Sequence, residues 1–169
     1  MRIITSSKII RVLKNKPRLE KELSVKIKTN GEEVSIDGNA EDEYLAKIVI
    51  EALDFGFPLN IALLMKEDNL HFDIINIKNH TTSKNLQRVR GRVIGKEGRT
   101  LKTLCHLTGC YFEQKDNQVG IIGEAECIKS TREGLISLIR GSKQANVYKF
   151  LEKHHPLPIT DLGLKEEEN

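Results

Sequence analysis

Lys84, Arg88, Arg90, Arg92, Lys96, Arg99 and Lys102 fall within one stretch of twenty residues, Ser83 to Lys102, where Glu97 is the only acid. The stretch carries +6 in a chain whose formal net charge is +3. A solvated charged face ordinarily mixes both signs. An unmixed basic segment suits a polyanionic partner. Inside it stands Gly95-Lys96-Glu97-Gly98. Glycines carry no side chain, so the backbone of a ligand can come close to the main chain there. A helix beginning after the second glycine would turn its N-terminal amides toward an anion. Two nucleotide-binding loops are excluded by spacing. A phosphate-binding P-loop needs four residues between its glycines and a Lys followed by Ser or Thr, whereas three residues separate Gly91 from Gly95 and Lys96 precedes Glu97. The dinucleotide fingerprint needs a glycine where Val93 stands. A G-x-x-G by itself is also a common turn, so its neighbours must decide.

Other chemistry finds little support. Cys105, Cys110 and Cys127 are odd in number and lack C-x-x-C spacing, which speaks against a zinc site or a disulfide framework and for buried thiols. His154 and His155 are adjacent, and Asp37, Asp42 and Asp54 fall on unrelated faces of the repeat elements, so no acid–base pair or metal-ligand spacing emerges. The expectation is a protein without cofactor or metal that is not an enzyme. An enzyme, for example a nuclease, would betray itself by metal-dependent RNA cleavage. No run of eighteen apolar residues and no secretory leader pattern is found, which predicts a cytoplasmic protein without membrane contact.

The elements that must position the basic stretch come from a repeat. At an offset of 85 residues, Val34, Ile36 and Gly38 fall on Val119, Ile121 and Gly123. The same register pairs Leu19 with Leu104, Leu53 with Leu138 and Gly56 with Gly141. A register shared over some forty residues predicts two copies of one module, residues 1–79 and 80–153, followed by a tail over 154–169. In the first copy "VKIKTNGEEVSID" alternates around Asn30-Gly31, a strong hairpin signal. Its counterpart "CYFEQKDNQVGII" turns near Asp116-Asn117. A helix follows each hairpin. Asn39 caps the first, with Glu41, Asp42 and Glu43 at its positive end, and Gly56 and Pro58 stop it. Before each hairpin a short helix is predicted, "PRLEKEL" with Pro17 at its start and "RTLKTLCHL" ending at Gly109. Before that a strand is predicted, "SKIIRVL" and "NLQRVRGRV". "LHFDIINI", residues 70–77, reads as an additional strand bridging the copies. The glycine loop belongs to the second copy alone, because Ile10 to Leu13 occupy its place in the first.

With Ile94 before the first glycine, a helix after the second and "TG" followed by a hairpin strand, "VIGKEGRTLKTLCHLTGCYF" resembles the core of a KH domain. The resemblance implies an α+β fold of two tandem type I KH domains, each strand-helix-helix-strand-strand-helix, the first degenerate and lacking the glycine loop. It implies single-stranded RNA clamped over about four nucleotides, with bases over an apolar floor of Ile94, Leu101, Leu104 and Phe112. Leu104 suits core packing equally well. "R-x-R-G-R-x-I-G-K-x-G-R-T" together with "I-x-G-S-x-x-x-x-V-Y" narrows the resemblance to the partner-of-Nob family of small-subunit ribosome assembly factors. That family implies binding to the 3′ end of small-subunit ribosomal RNA or its precursor, beside a processing endonuclease and other ribosome or translation factors. The implied RNA-binding residues are Arg88, Arg90, Arg92, Ile94, Gly95, Lys96, Gly98, Arg99, Lys102 and Phe112. A KH adaptor for another RNA-processing complex, or a protein scaffold with a vestigial loop, is the alternative. The acidic end "LKEEEN" reads as a disordered tail.

Overall fold

Alternating apolar residues around Asn30-Gly31 make the first hairpin. In the computed structural model, which describes residues 1–155, β2 (Lys26–Asn30) and β3 (Glu33–Asp37) pair antiparallel, with Gly31 at φ 59° in the turn. Ile27, Val34 and Ile36 point into the core. Strand β1 (Arg2–Thr5) adds to the other edge of β3, giving the order β1-β3-β2. Helix α2 (Ala40–Phe55) follows, and the Asn39 side chain accepts a 2.8 Å hydrogen bond from the Asp42 amide, as an N-cap should. Gly56, at φ 142°, ends it.

The second sheet repeats the plan in the register read from the sequence. Strands β5 (Tyr111–Lys115) and β6 (Gln118–Glu124) and helix α6 (Ala125–Ile139) begin 85 residues after β2, β3 and α2. Helix α7 (Gln144–His154) packs on α6, and a short helix α3 (Leu59–Ala62) holds the matching place in the first unit.

Three expectations fail. "SKIIRVL" is not a strand. It opens α1 (Ile9–Leu23), a single helix in which Pro17 is interior, not first. Val12, Leu19 and Leu23 recur at helical spacing on its buried face, and that long-range period overrides the β-branched start. The strand of this unit is the earlier β1. The segment 70–77 is not an additional strand, although Leu70 and Phe72 do pack on the core of the first unit. As β4 (Leu70–Asn76) it pairs along its whole length with β6, giving the order β4-β6-β5, so the second sheet begins before the boundary expected at residue 80. "NLQRVRGRV" is helical, as described below. The acidic end read as a tail lies outside the described residues.

The two units share an interface of aromatic rings. Phe55, Phe57 and Phe72 stand with centroids 5.7 to 6.1 Å apart, at tilted and edge-on angles. The Phe55 and Phe57 rings lie over Gly120 of β6, where a Cβ would meet Phe55 at 2.7 Å and Phe57 at 2.9 Å. Lys115 of β5 crosses the seam, and its Nζ donates to Ser7 Oγ at 3.2 Å and to the Asp54 carbonyl at 3.3 Å. Burial opposes charge on Asp54. Hydrogen bonds from Ser6, the Lys8 amide and Ser7, with Lys115 close by, outweigh it and hold the carboxyl below its ordinary range.

Candidate nucleic-acid interface

The basic run before the glycines is helix α4 (Leu86–Ile94). Asn85 caps it by accepting from the Arg88 amide at 3.1 Å, and Val89 and Val93, four apart, face the core. This changes the arrangement of charges. On a strand Arg88, Arg90 and Arg92 would share one face. On the helix Arg88 and Arg92 lie together, beside Thr81–Ser83 and the end of α6, while Arg90 takes the face of Ile94, four residues on.

At Gly95 the chain turns out of α4. Its amide donates to the Gly91 carbonyl at 2.9 Å, and its φ of 76° and ψ of 171° belong to a region essentially reserved for glycine. A Cβ there would stand 2.2 Å from Thr100 Oγ1. Lys96–Gly98 form one tight turn, with Glu97 at φ 56° and Gly98 at φ 73°. The Gly98 amide donates to the Gly95 carbonyl at 3.2 Å. Helix α5 (Arg99–Thr108) starts at once, with no side chain capping its N-terminus. The buried Thr100 hydroxyl is fixed by Gln144 of α7, whose Nε2 donates to it at 2.9 Å.

Lys96, Arg99 and Lys102 are exposed around this turn. Glu97 is also exposed and approaches Arg99 at 3.8 Å, a surface pair of small energetic weight. Leu104 has no exposed surface and belongs to the core, not to a groove floor. Leu101 and Phe112 are half-buried and line a hollow of about 230 Å³ with Lys102 and Cys105. Ile94 is half-buried at the end of α4 and does not line that hollow. Phe57, Pro58 and Ile61 of the first unit form its opposite wall. No sequence pattern announces that wall, because it arises from packing between units. Glu113 stands at the rim, its carboxyl pushed up by burial against the opposing pull of Arg11 and Lys8.

Burial raises all three cysteine thiols, and Cys110 alone is fully buried. Among the described residues no group of three His, Cys, Asp or Glu side chains could hold a metal ion, and no helix is long and apolar enough to cross a membrane.

A family profile described as eukaryotic-type KH domain (KH-domain type I), for the second KH domain of PNO1, matches residues 71–156. A KH domain-containing protein of Methanocaldococcus jannaschii is 34% identical over 145 residues, covering 82% of this chain and 64% of that one. The pre-rRNA-processing protein PNO1 of Saccharomyces cerevisiae is 31% identical over 102 residues, covering 59% of this chain and 37% of that one. The chain thus spans less than two thirds of the length of these curated relatives. The crystal structure of Dim2p from Pyrococcus horikoshii superposes with a TM-score of 0.81 at 26% identity, covering 90% of this chain and 98% of that one. A complex of a/eIF2alpha, aDim2p and rRNA from the same organism also gives 0.81, at 27% identity, covering 91% and 93%.

Proposed function

The chain belongs to the PNO1-type KH-domain family, and from that premise we propose that it binds single-stranded RNA across the Gly95–Gly98 turn as an assembly factor of the small ribosomal subunit. One observation carries the reading. A turn that only glycine can open stands between two helices, ringed by three exposed cations and joined to an apolar hollow. A phosphodiester can approach Gly98, where nothing lies within 4 Å of a Cβ position, and meet Lys96, Arg99 and the start of α5. The bases then reach Leu101 and Phe112, and Arg90 and Ile94 extend the same side along α4. Binding needs no catalytic group, and the role proposed is non-catalytic and cytoplasmic.

The 3′ end of small-subunit ribosomal RNA or its precursor is the RNA we propose. The relatives named for pre-rRNA processing and the archaeal complex containing rRNA support it. The same complex supports a translation factor as protein partner, and a processing endonuclease is the second partner proposed. Competition titration at fixed salt tests the target. The 3′-terminal oligonucleotide should bind at least ~10-fold better than its scrambled form, or ~1.4 kcal/mol. Equal affinity would leave a KH protein with another RNA.

A further inference from the structure

Arg88 and Arg92 lie away from the face that carries Ile94 and the glycine turn, and something else must explain them. They border a second hollow, of about 310 Å³, with Arg140 at the end of α6 and Thr81, Thr82 and Ser83 before α4. Among the described residues no acidic side chain lines it. Among the described residues none of the three arginines is within ion-pair distance of a carboxylate, whereas nearby Arg132 is paired with Asp73 at 2.6 Å. Resting on the RNA-binding reading above, we infer that Arg88, Arg92 and Arg140 form a second phosphate site, which holds the RNA strand where it continues past the glycine turn.

Three features fit a phosphodiester. Guanidinium groups offer paired donors to phosphate oxygens. The Thr81 and Ser83 hydroxyl oxygens already accept backbone amides, from Ser83 and Asn85, so their protons remain available to an anion. The site is also within reach of the turn. Arg92 precedes Gly95 by three residues and Arg88 by seven, about 4.5 and 10 Å of helix rise, a few nucleotides of strand. Gly141 leaves room for the Arg92 guanidinium, whose Nη1 is 3.1 Å from the place a Cβ would take. The local field is positive enough to act on its neighbour His80. Burial lowers the pKa of that imidazole first, and Arg132 and Arg140 add to the effect.

The test compares four- and ten-nucleotide RNAs ending at the 3′ terminus of small-subunit ribosomal RNA, with the full chain, across a salt series. Arg140→Glu, and Arg140→Gln in case reversal disturbs the fold, should leave the four-nucleotide affinity unchanged. The ten-nucleotide RNA should bind at least ~5-fold more weakly, and its salt slope should fall by about 0.7 for each phosphate that is no longer neutralised. If Arg140 only offsets the dipole at the end of α6, melting temperature drops and the slope stays, which overturns the site. Equal losses for both RNAs also overturn it, because the site would not be separate from the turn. A wild-type protein that binds neither RNA would instead remove the RNA-binding reading itself.

Discussion

Gly98→Asp separates the chemistry of the turn from its folding. Gly98 has φ 73° and ψ 14°, with nothing within 4 Å of a Cβ position, so a side chain has room and meets only the left-handed backbone penalty. That penalty is about 1–2 kcal/mol for an ordinary residue, and Asp is among the residues that visit the region. In a chain of this size 1 kcal/mol shifts the melting temperature by about 2–4 °C, so a drop of no more than about 8 °C is expected. The carboxylate would sit where phosphate is expected. It would cancel a charge-assisted hydrogen bond worth about 1.5–3 kcal/mol, a fall in RNA affinity of ~10- to 150-fold. Gly98→Ala, at least as strained but uncharged, should keep most of the affinity.

Gly95 behaves differently, and substituting it does not leave the fold untouched. Its backbone falls in a region that costs non-glycine residues about 1–3 kcal/mol. A Cβ would also stand 2.2 Å from Thr100 Oγ1 and 2.7 Å from the Thr100 amide nitrogen, which cannot yield without moving α5. Overpacking adds about 1–3 kcal/mol, so Gly95→Ala should destabilise by about 2–6 kcal/mol. Thermal melts followed by circular dichroism and fluorescence anisotropy with labelled RNA measure both effects. A folded Gly98→Asp protein with wild-type RNA affinity would refute the phosphate site at the turn. A Gly95→Ala protein melting with the wild type would refute the geometry of the turn.

Asp54→Asn tests the seam between units. The Asp54 carboxyl titrates lower in the folded chain than in the unfolded one, so its stabilisation is complete above the ordinary carboxylate pKa and is lost as pH falls through the folded value. The Asn variant should melt lower at pH 7 and lose less on acidification, and parallel acid profiles would contradict this. Gly120→Ala must displace the Phe55 and Phe57 rings and should cost about 1–3 kcal/mol of stability; an unchanged melt would show that the rings give way freely. Arg11 donates to the Leu53 and Phe57 carbonyls at 3.1 and 3.2 Å, so Arg11→Glu should destabilise the fold. Lys14→Glu, on the exposed side of α1, should change neither melting nor RNA affinity, and weaker RNA binding there would place part of the interface on the first unit.

The fold is legible in the sequence where signals are local and repeated. Asn30-Gly31, Asp116-Asn117, the Asn39 cap and the stops at Gly56, Gly109 and Gly141 all stand where residue type requires them. The pattern misleads where two periodicities compete. "RVRGRV" alternates as a strand does, yet Val89 and Val93 are four apart and Asn85 caps them, and burial against α6 decides for the helix. The strand period puts Arg88 and Arg92 on the wrong face. Pro17 misleads in a similar way, marking a helix start when the helix has begun at Ile9. The wall of Phe57, Pro58 and Ile61 has no signal at all.

The two copies differ at the proposed site. From Ile4 to its strand partner Val34 the first unit spans 30 residues, and from Ile75 to the equivalent partner Val119 the second spans 44, so the second holds 14 more. Those extra residues let the chain break into α4, the turn and α5, where the first unit has α1 alone. Ile10 to Leu13, aligned with the glycine turn, are helical, so their amides belong to the geometry of the helix and no open turn is left to face a phosphate. What the first unit retains is its hairpin and α2, the parts that keep register with the second unit. It uses the end of α2 as a ring platform against Gly120 and the residues after it as one wall of the hollow beside α5. The unit without the turn therefore shapes the site of the unit that has it. Weaker RNA binding after a substitution at Ile61, half-buried in that wall, would be an effect on the wall, with Lys96 and Arg99 untouched.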